Sequence, residues 1–208
     1  MRRAWLLALL GLLPSPLVAQ TGSTQQPDPP PAGFGSLRQD EVAIRLQDEH
    51  IVITILPLAE WVTRLLAPDS YNAVHQLFEA RAHEIAEAAR RAGYAGVVAF
   101  LVMVYALDDQ VPFDPDDIAI QSRGRTFRPA AVVPISARWG EYRLPRRETA
   151  SAIFLFDEAV DVFAPVTVQH AGLISTTWES TLRRLEVERA RVEARAKRPR
   201  GSLPRASR

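Results

Sequence analysis

Two β-branched runs, VAIRL (42–46) and IVITILPL (51–58), stand on either side of the polar stretch QDEH. That pattern predicts a β-hairpin. Pro57 closes the second run, and the hydrophobic period then changes. LAEWVTRLL (58–66) reads as a short helix stopped at Ala67-Pro68, followed by a second helix capped at Asp69 or Ser70 and running to about Arg91. Val74, Phe78, Ile85 and Ala89 share one face of that helix, with Leu77 and Ala82 beside it. Arg90 and Arg91 suit the carbonyl end of its dipole, and Gly93 suits a left-handed exit.

GVVAFLVMVYAL (96–107) is apolar without alternation. It is too short to span a bilayer, and its β-branched content predicts a strand covered on both faces. The helices of 58–92 can supply one covering layer and a second sheet the other. From Pro112 the pattern is β throughout, with short runs at IAI (118–120), FRPAAVVPI (127–135), AIFLF (152–156) and VTV (166–168). Helical spacing returns in ISTTWESTLRRLEVERARVEARAKR from Ile174, where Trp178, Leu182, Leu185 and Val192 follow 4, 3 and 7 spacing and Arg189 fills the gap. The first half of that helix is expected to dock on the body. No internal repeat is present.

Ahead of this patterned region the chain opens MRRAWLLALLGLLPSPLVAQ. Arg2 and Arg3, the apolar run Ala4–Leu13 and the small residue Ala19 have the order of a secretory signal, with cleavage expected between Ala19 and Gln20. Residues 20–37 are polar and Pro-rich and read as an extended, disordered linker. The expected organisation is therefore a signal peptide (1–19), a linker (20–37), one domain (38–185) with a helical insertion at about 58–92, and a charged helix end with a basic disordered tail (186–208).

Charge and cysteine content narrow the chemistry. The chain has no cysteine, which excludes disulfides, a lipid-modified N-terminal Cys, thiol nucleophiles, thiolate zinc sites and iron–sulfur clusters. Its net charge of +1 conceals two unlike parts. Gln20–Trp178 holds 13 basic and 20 acidic residues, a balance of −7, whereas Glu179–Arg208 holds 10 basic and 4 acidic, a balance of +6. In an exported protein such a tail suits an envelope protein or an anionic envelope polymer, and nucleic acid is not an expected partner.

PFDPDDIAIQSRGRTFRPAAVV (112–133) offers the densest candidate chemistry. A helix-loop-helix calcium loop starting at Asp114 fails at its fifth, sixth and twelfth positions, which are Ile118, Ala119 and Arg125. A looser calcium site could draw on Asp108, Asp109, Asp114, Asp116 and Asp117, with Asp157, Glu158 and Asp161 nearby; these are also ordinary turn residues. Arg123-Gly124 at a hairpin tip would place Ile120 opposite Phe127, with either a two-residue turn or a three-residue bulged one. His75 and His83 lie on the helix face opposite the apolar stripe, and no HExxH, HxxxH, GxSxG or SxxK occurs. No catalytic, cofactor-binding or metal-ligating residue is assigned on these grounds.

Phe113, Pro115, Asp117, Ile118 and Ile120, then the GRTFRP stretch (124–129), RETASAIFLFD (147–157) and Trp178, resemble bacterial secreted domains with an immunoglobulin-like β-sandwich fold. The resemblance implies an α+β architecture: an immunoglobulin-like antiparallel sandwich with two helices inserted between early strands and one helix at the C-terminus. Such domains share no functional site, so no residue role is carried over. The expected function is a non-catalytic, exported cell-envelope protein, periplasmic or secreted, serving as an interaction or assembly module. Its expected surfaces are the Arg123–Arg128 hairpin and the basic tail. The alternatives are an envelope hydrolase with a site assembled from dispersed residues, and a calcium-stabilised structural protein.

Overall fold

The computed structural model describes residues 28–140 and 143–197. The expected signal (1–19), the first part of the linker and the tail from residue 198 lie outside the described residues. The chain is mixed α+β, and its strand pairings are antiparallel. After a short helix α1 (Gln39–Val42) come β1 (Ile44–Gln47) and β2 (Ile51–Pro57), paired with Ile44 opposite Ile55. Helices α2 (Glu60–Thr63), α3 (Pro68–Ala80) and α4 (Ala82–Arg91) precede the long strand β3 (Val97–Ala106). Next are β4 (Val111–Pro112), a 3₁₀ turn at Pro115–Asp117, β5 (Ala119–Ser122), β6 (Arg125–Phe127), β7 (Ala131–Pro134), β8 (Arg143–Leu144) and β9 (Thr149–Asp157). The last elements are β10 (Val166–His170), β11 (Leu173–Ser175) and α5 (Trp178–Ala196).

One sheet has the order β1-β2-β3-β9-β7, a second β11-β10-β5-β6, and β4 and β8 form a small ribbon. Strand alternation and register assign the inner face of the larger sheet. Ile53, Val104, Val102, Phe100, Ala152 and Phe154 fall on it and are fully buried. On the smaller sheet Ile120, Ser122, Phe127, Val166, Val168, His170 and Ser175 share one buried face. Aromatic contacts join the two: Phe154 of β9 meets Trp139 edge-on at 5.5 Å, Trp139 meets Phe113 at 5.5 Å, and Phe113 stacks on His170 of β10 at 5.2 Å. The edges also come together, because β1 packs against β11 and β6 leads into β7 through three residues. The outer face of the larger sheet is closed beside β7, where α4 packs. Toward the other end it opens, leaving Tyr105 exposed.

The hairpin at 119–127 has the predicted register, with Ile120 opposite Phe127. Arg123 and Gly124 have φ values of 48° and 75°, the geometry of a two-residue turn that matches strand twist. Gly93 makes the predicted left-handed exit, with φ of 80°. Three expectations change. The helix expected from 69 to about 91 is two helices, interrupted at Arg81 with φ of −109° and ψ of 3°. The residues there are ordinary helix formers; tertiary packing, which brings Ile85, Ala88 and Ala89 into the core, overrides propensity. The C-terminal helix begins at Trp178, since Leu173–Ser175 pairs with β10 as an edge strand.

The third change concerns both ends of the domain. Residues 28–37, expected to belong to the linker, lie against the body: Pro30, Gly35 and Leu37 are buried, and Leu37 bridges Leu66. A Cβ on Gly35 would overlap the backbone of Leu65 and Leu66, so only glycine permits this approach. At the other end, α5 stays docked past residue 185 through Glu188 and Val192. Glu188 accepts from Ser36 Oγ at 2.8 Å and from Arg195, and Arg191 lies 3.7 Å away. The start and end of the described chain are thus tied by one buried carboxylate.

Trp178 anchors α5. It is fully buried and its Nε1 donates to the Val162 carbonyl at 3.1 Å. Trp178→Ala therefore removes both volume and a buried hydrogen bond, at an expected cost of about 3–5 kcal/mol in urea unfolding. A loss below about 1 kcal/mol would show that α5 contributes little to the core.

Candidate functional site

Three chain reversals meet at one end of the paired sheets and enclose a cleft of about 450 Å³. That size lies within the range of small-ligand sites. The first reversal is the β1–β2 turn. Asp48 organises it, because its Oδ1 accepts from the amides of His50 at 2.7 Å and Ile51 at 2.9 Å. The second is the loop from β3 to β4, tied to the first by the Leu107 amide, which donates to the His50 carbonyl at 2.7 Å. Here Asp108 accepts from the Asp109 amide, and Asp109 accepts from the amides of Gln110 and Arg146. The third is the β10–β11 hairpin, whose Ala171 and Gly172 have φ values of 45° and 88°.

Asp48, Asp108 and Asp109 face the cleft with His50 and His170, over apolar atoms of Ile51, Val111 and Leu173. Three carboxylates and no lysine or arginine line it. Arg143 and Arg146 approach the same loop from outside the lining, donating to the carbonyls of Gln110 and Leu107. His50 Nδ1 lies 3.5 Å from Asp108 Oδ2, and both side chains are more than half exposed.

His170 differs from the other groups in the cleft. It ends a strand whose alternate residues Val166 and Val168 point into the core, so the period of two carries the imidazole inward as well. It is 4% exposed and stacks on Phe113 with centroids 5.2 Å apart. Both ring nitrogens are sealed from solvent and make no hydrogen bond of good geometry, with the Asp114 carbonyl beside the ring. Burial depresses its pKa below the ordinary 6.5, and the Asp114 carbonyl and the carboxylates of Asp117, Asp114 and Asp48 offset only part of that effect. Desolvation raises Asp48, but the amides of His50 and Ile51 and the two imidazoles outweigh it and hold its pKa below the usual carboxylate value.

The residues singled out from sequence are mostly occupied elsewhere. Arg123 pairs with Asp161, the Arg125 guanidinium sits over the Phe127 ring at 5.0 Å, and Arg128 donates to the Asp116 carbonyl. The hairpin is thus no open anion cradle. Asp114 caps the 3₁₀ turn by accepting from Asp116, Asp157 accepts from the Ala159 amide, and Asp161 accepts from the Phe163 amide. Among the described residues no group of three or more His, Asp or Glu is placed to hold a metal ion. His83 is exposed, while His75 is half-buried, stacked on Tyr71 and 3.4 Å from Glu60. Sequence reading missed His170, although the alternation V-x-V-x-H was the signal that could have found it.

His170 makes stability depend on pH with a definite sign. The unfolded chain binds its proton near pH 6.5 and the folded chain only at lower pH, so stability rises with pH across that window. The melting temperature should fall as pH drops below 6.5, and His170→Phe should remove that part of the fall. An unchanged pH profile in the variant would place the imidazole in contact with water. Against models of known families, curated proteins and solved structures, the chain has no match.

Proposed function

We propose that this chain is a non-catalytic binding module of the bacterial cell envelope, exported by its N-terminal signal and binding through the cleft at the end of its two sheets. The observation that carries this reading is the composition of the cleft. It sets three carboxylates and two imidazoles over an apolar floor, the mix of a few polar groups and apolar surface that ligand sites use. Among the described residues no helix is long and apolar enough to cross a membrane. The likeness to immunoglobulin-like sandwiches is one of architecture, with ligand contacts made by loops gathered at one end. The order of strands departs from it: β1, β2 and β3 remain in one sheet, whereas the constant-type order sends the third strand to the other.

A second reading, an envelope hydrolase, is favoured only by the His50–Asp108 pair, which resembles a general base with its orienting carboxylate. Such an enzyme would have to activate water directly.

Crosslinking and purification of tagged full-length protein from the envelope fraction tests the module. The triple variant Asp48→Asn, Asp108→Asn, Asp109→Asn should lose the captured partner, while deletion of 198–208 should retain it. Asparagine keeps an acceptor oxygen for each turn, so the fold is preserved. Capture unaffected by the triple variant would remove the cleft from the function. Hydrolysis of ester, glycoside or peptide substrates that disappears with His50→Gln would replace the module with the enzyme.

A further inference from the structure

His170 is the last link of the aromatic bridge between the two sheets. It ends β10, its ring stacks on Phe113 in the segment between β4 and β5, and Phe113 leads through Trp139 to Phe154 of β9. The ring is 4% exposed, and no hydrogen bond of good geometry holds either nitrogen. In its neutral form it packs as one more aromatic surface.

A proton changes that balance. The imidazolium carries two N–H donors pointing in different directions, and one carbonyl, that of Asp114, stands beside the ring. A charged donor left without an acceptor in a core is costly. Asp117, Asp114 and Asp48 attract the charge from the 3₁₀ turn and the β1–β2 turn, yet none of them bonds the ring where it lies. Across the cleft His50, Asp108 and Asp109 complete the charged surroundings. The other elements packed on β10 add nothing that titrates against the ring. β5 and β11 have no titratable side chain, and β1 holds only Arg45, exposed and donating to Gln47. The one charged side chain that α5 buries, Glu188, is engaged by Ser36 and Arg195.

We infer that His170 is a proton-operated latch: protonation draws the ring toward the carboxylates, breaks the Phe113 stack and loosens the cleft end of the two sheets while the rest of the fold stays closed. The β10–β11 hairpin supplies the moving part, since its two-residue reversal at Ala171-Gly172 carries the ring at its base. Burial favours the neutral ring, so the latch is closed above pH 6.5 and opens below it, where the open form takes its proton before the closed form does. As regulation of the cleft the latch rests on the binding-module reading; its chemistry depends on the ring and its neighbours alone.

Backbone hydrogen exchange of the purified full chain, corrected for the chemical rate at each pH, reads the opening residue by residue. From about pH 7 to about pH 5, the amides of Val111, Phe113, Asp114 and 168–173 should exchange faster. The rise should be about tenfold per pH unit wherever only the open form holds the proton. Amides of 100–104 in β3 should keep their rate. In the unsubstituted chain the rise should level off at the pH where the His170 ring itself titrates by NMR. His170→Phe keeps a ring against Phe113 and should remove the pH response, whereas His83→Gln, exposed on α4, should leave it intact. Faster exchange of β3 in step with the cleft would mean global unfolding and overturn the latch. An unchanged rate, or a response that survives in His170→Phe, would overturn it too.

Capture from the envelope fraction at the same two pH values separates the latch from the module. A partner held at the higher pH and released at the lower one, but retained by His170→Phe, supports both. Local opening with no capture at either pH removes the module and leaves the latch. Capture with no local opening removes the latch and leaves the module.

Discussion

Strand β3 is paired on both edges, to β2 through Phe100–Ala106 and to β9 through Val97–Tyr105, and the remaining architecture depends on that double pairing. A buried strand must have its amides and carbonyls satisfied, and only neighbouring strands can do so along its whole length. The register is fixed by side chains. A slip of one residue would turn Phe100, Val102, Val104 and Ala106 away from the core and replace them with Leu101, Met103 and Tyr105. The fully buried inner face and partly open outer face show which arrangement prevails.

The same strand places the cleft. Ala106 accepts from the Arg147 amide, and Leu107 ties back to the β1–β2 turn, so the acidic loop begins where β3 runs out of partners. Two strongly charged regions then behave differently. At the β5–β6 tip the arginines are satisfied within the fold, by Asp161, by an aromatic ring and by a carbonyl. At the cleft each aspartate spends one oxygen on turn amides, and no arginine lines the site. Charge density in sequence does not separate these cases; pairing in space does.

Local patterns were legible where local forces decide. The β1–β2 hairpin, the Ile120–Phe127 register and the Gly93 exit all follow from alternation and turn chemistry. The break at Arg81, the β4–β8 ribbon and the docking of residues 28–37 depend on contacts between distant segments, and the local residue types do not announce them. Gly35 is a case in point: in sequence it is one more residue of a Pro/Gly stretch, and in space it lies so close to the Leu65–Leu66 backbone that a Cβ would clash. Glu188 falls in the stretch expected to be a charged helix end, yet it is 1% exposed and joins Ser36 to Arg195. Of the cleft, Asp108 and Asp109 were visible within an acidic cluster, but their meeting with Asp48 and His170 required the two sheets to come together.

The central claim is that the end of the paired sheets buries the His170 imidazole in its neutral form beside the cleft's carboxylates. Imidazole nitrogen and proton resonances of His170, recorded by NMR as pH is lowered, test it most directly. The packing predicts a ring that stays neutral as pH passes 6.5 and protonates only below that value. Protonation at or above 6.5 would mean that His170 is solvated or held by a carboxylate, and that the cleft is not the site described.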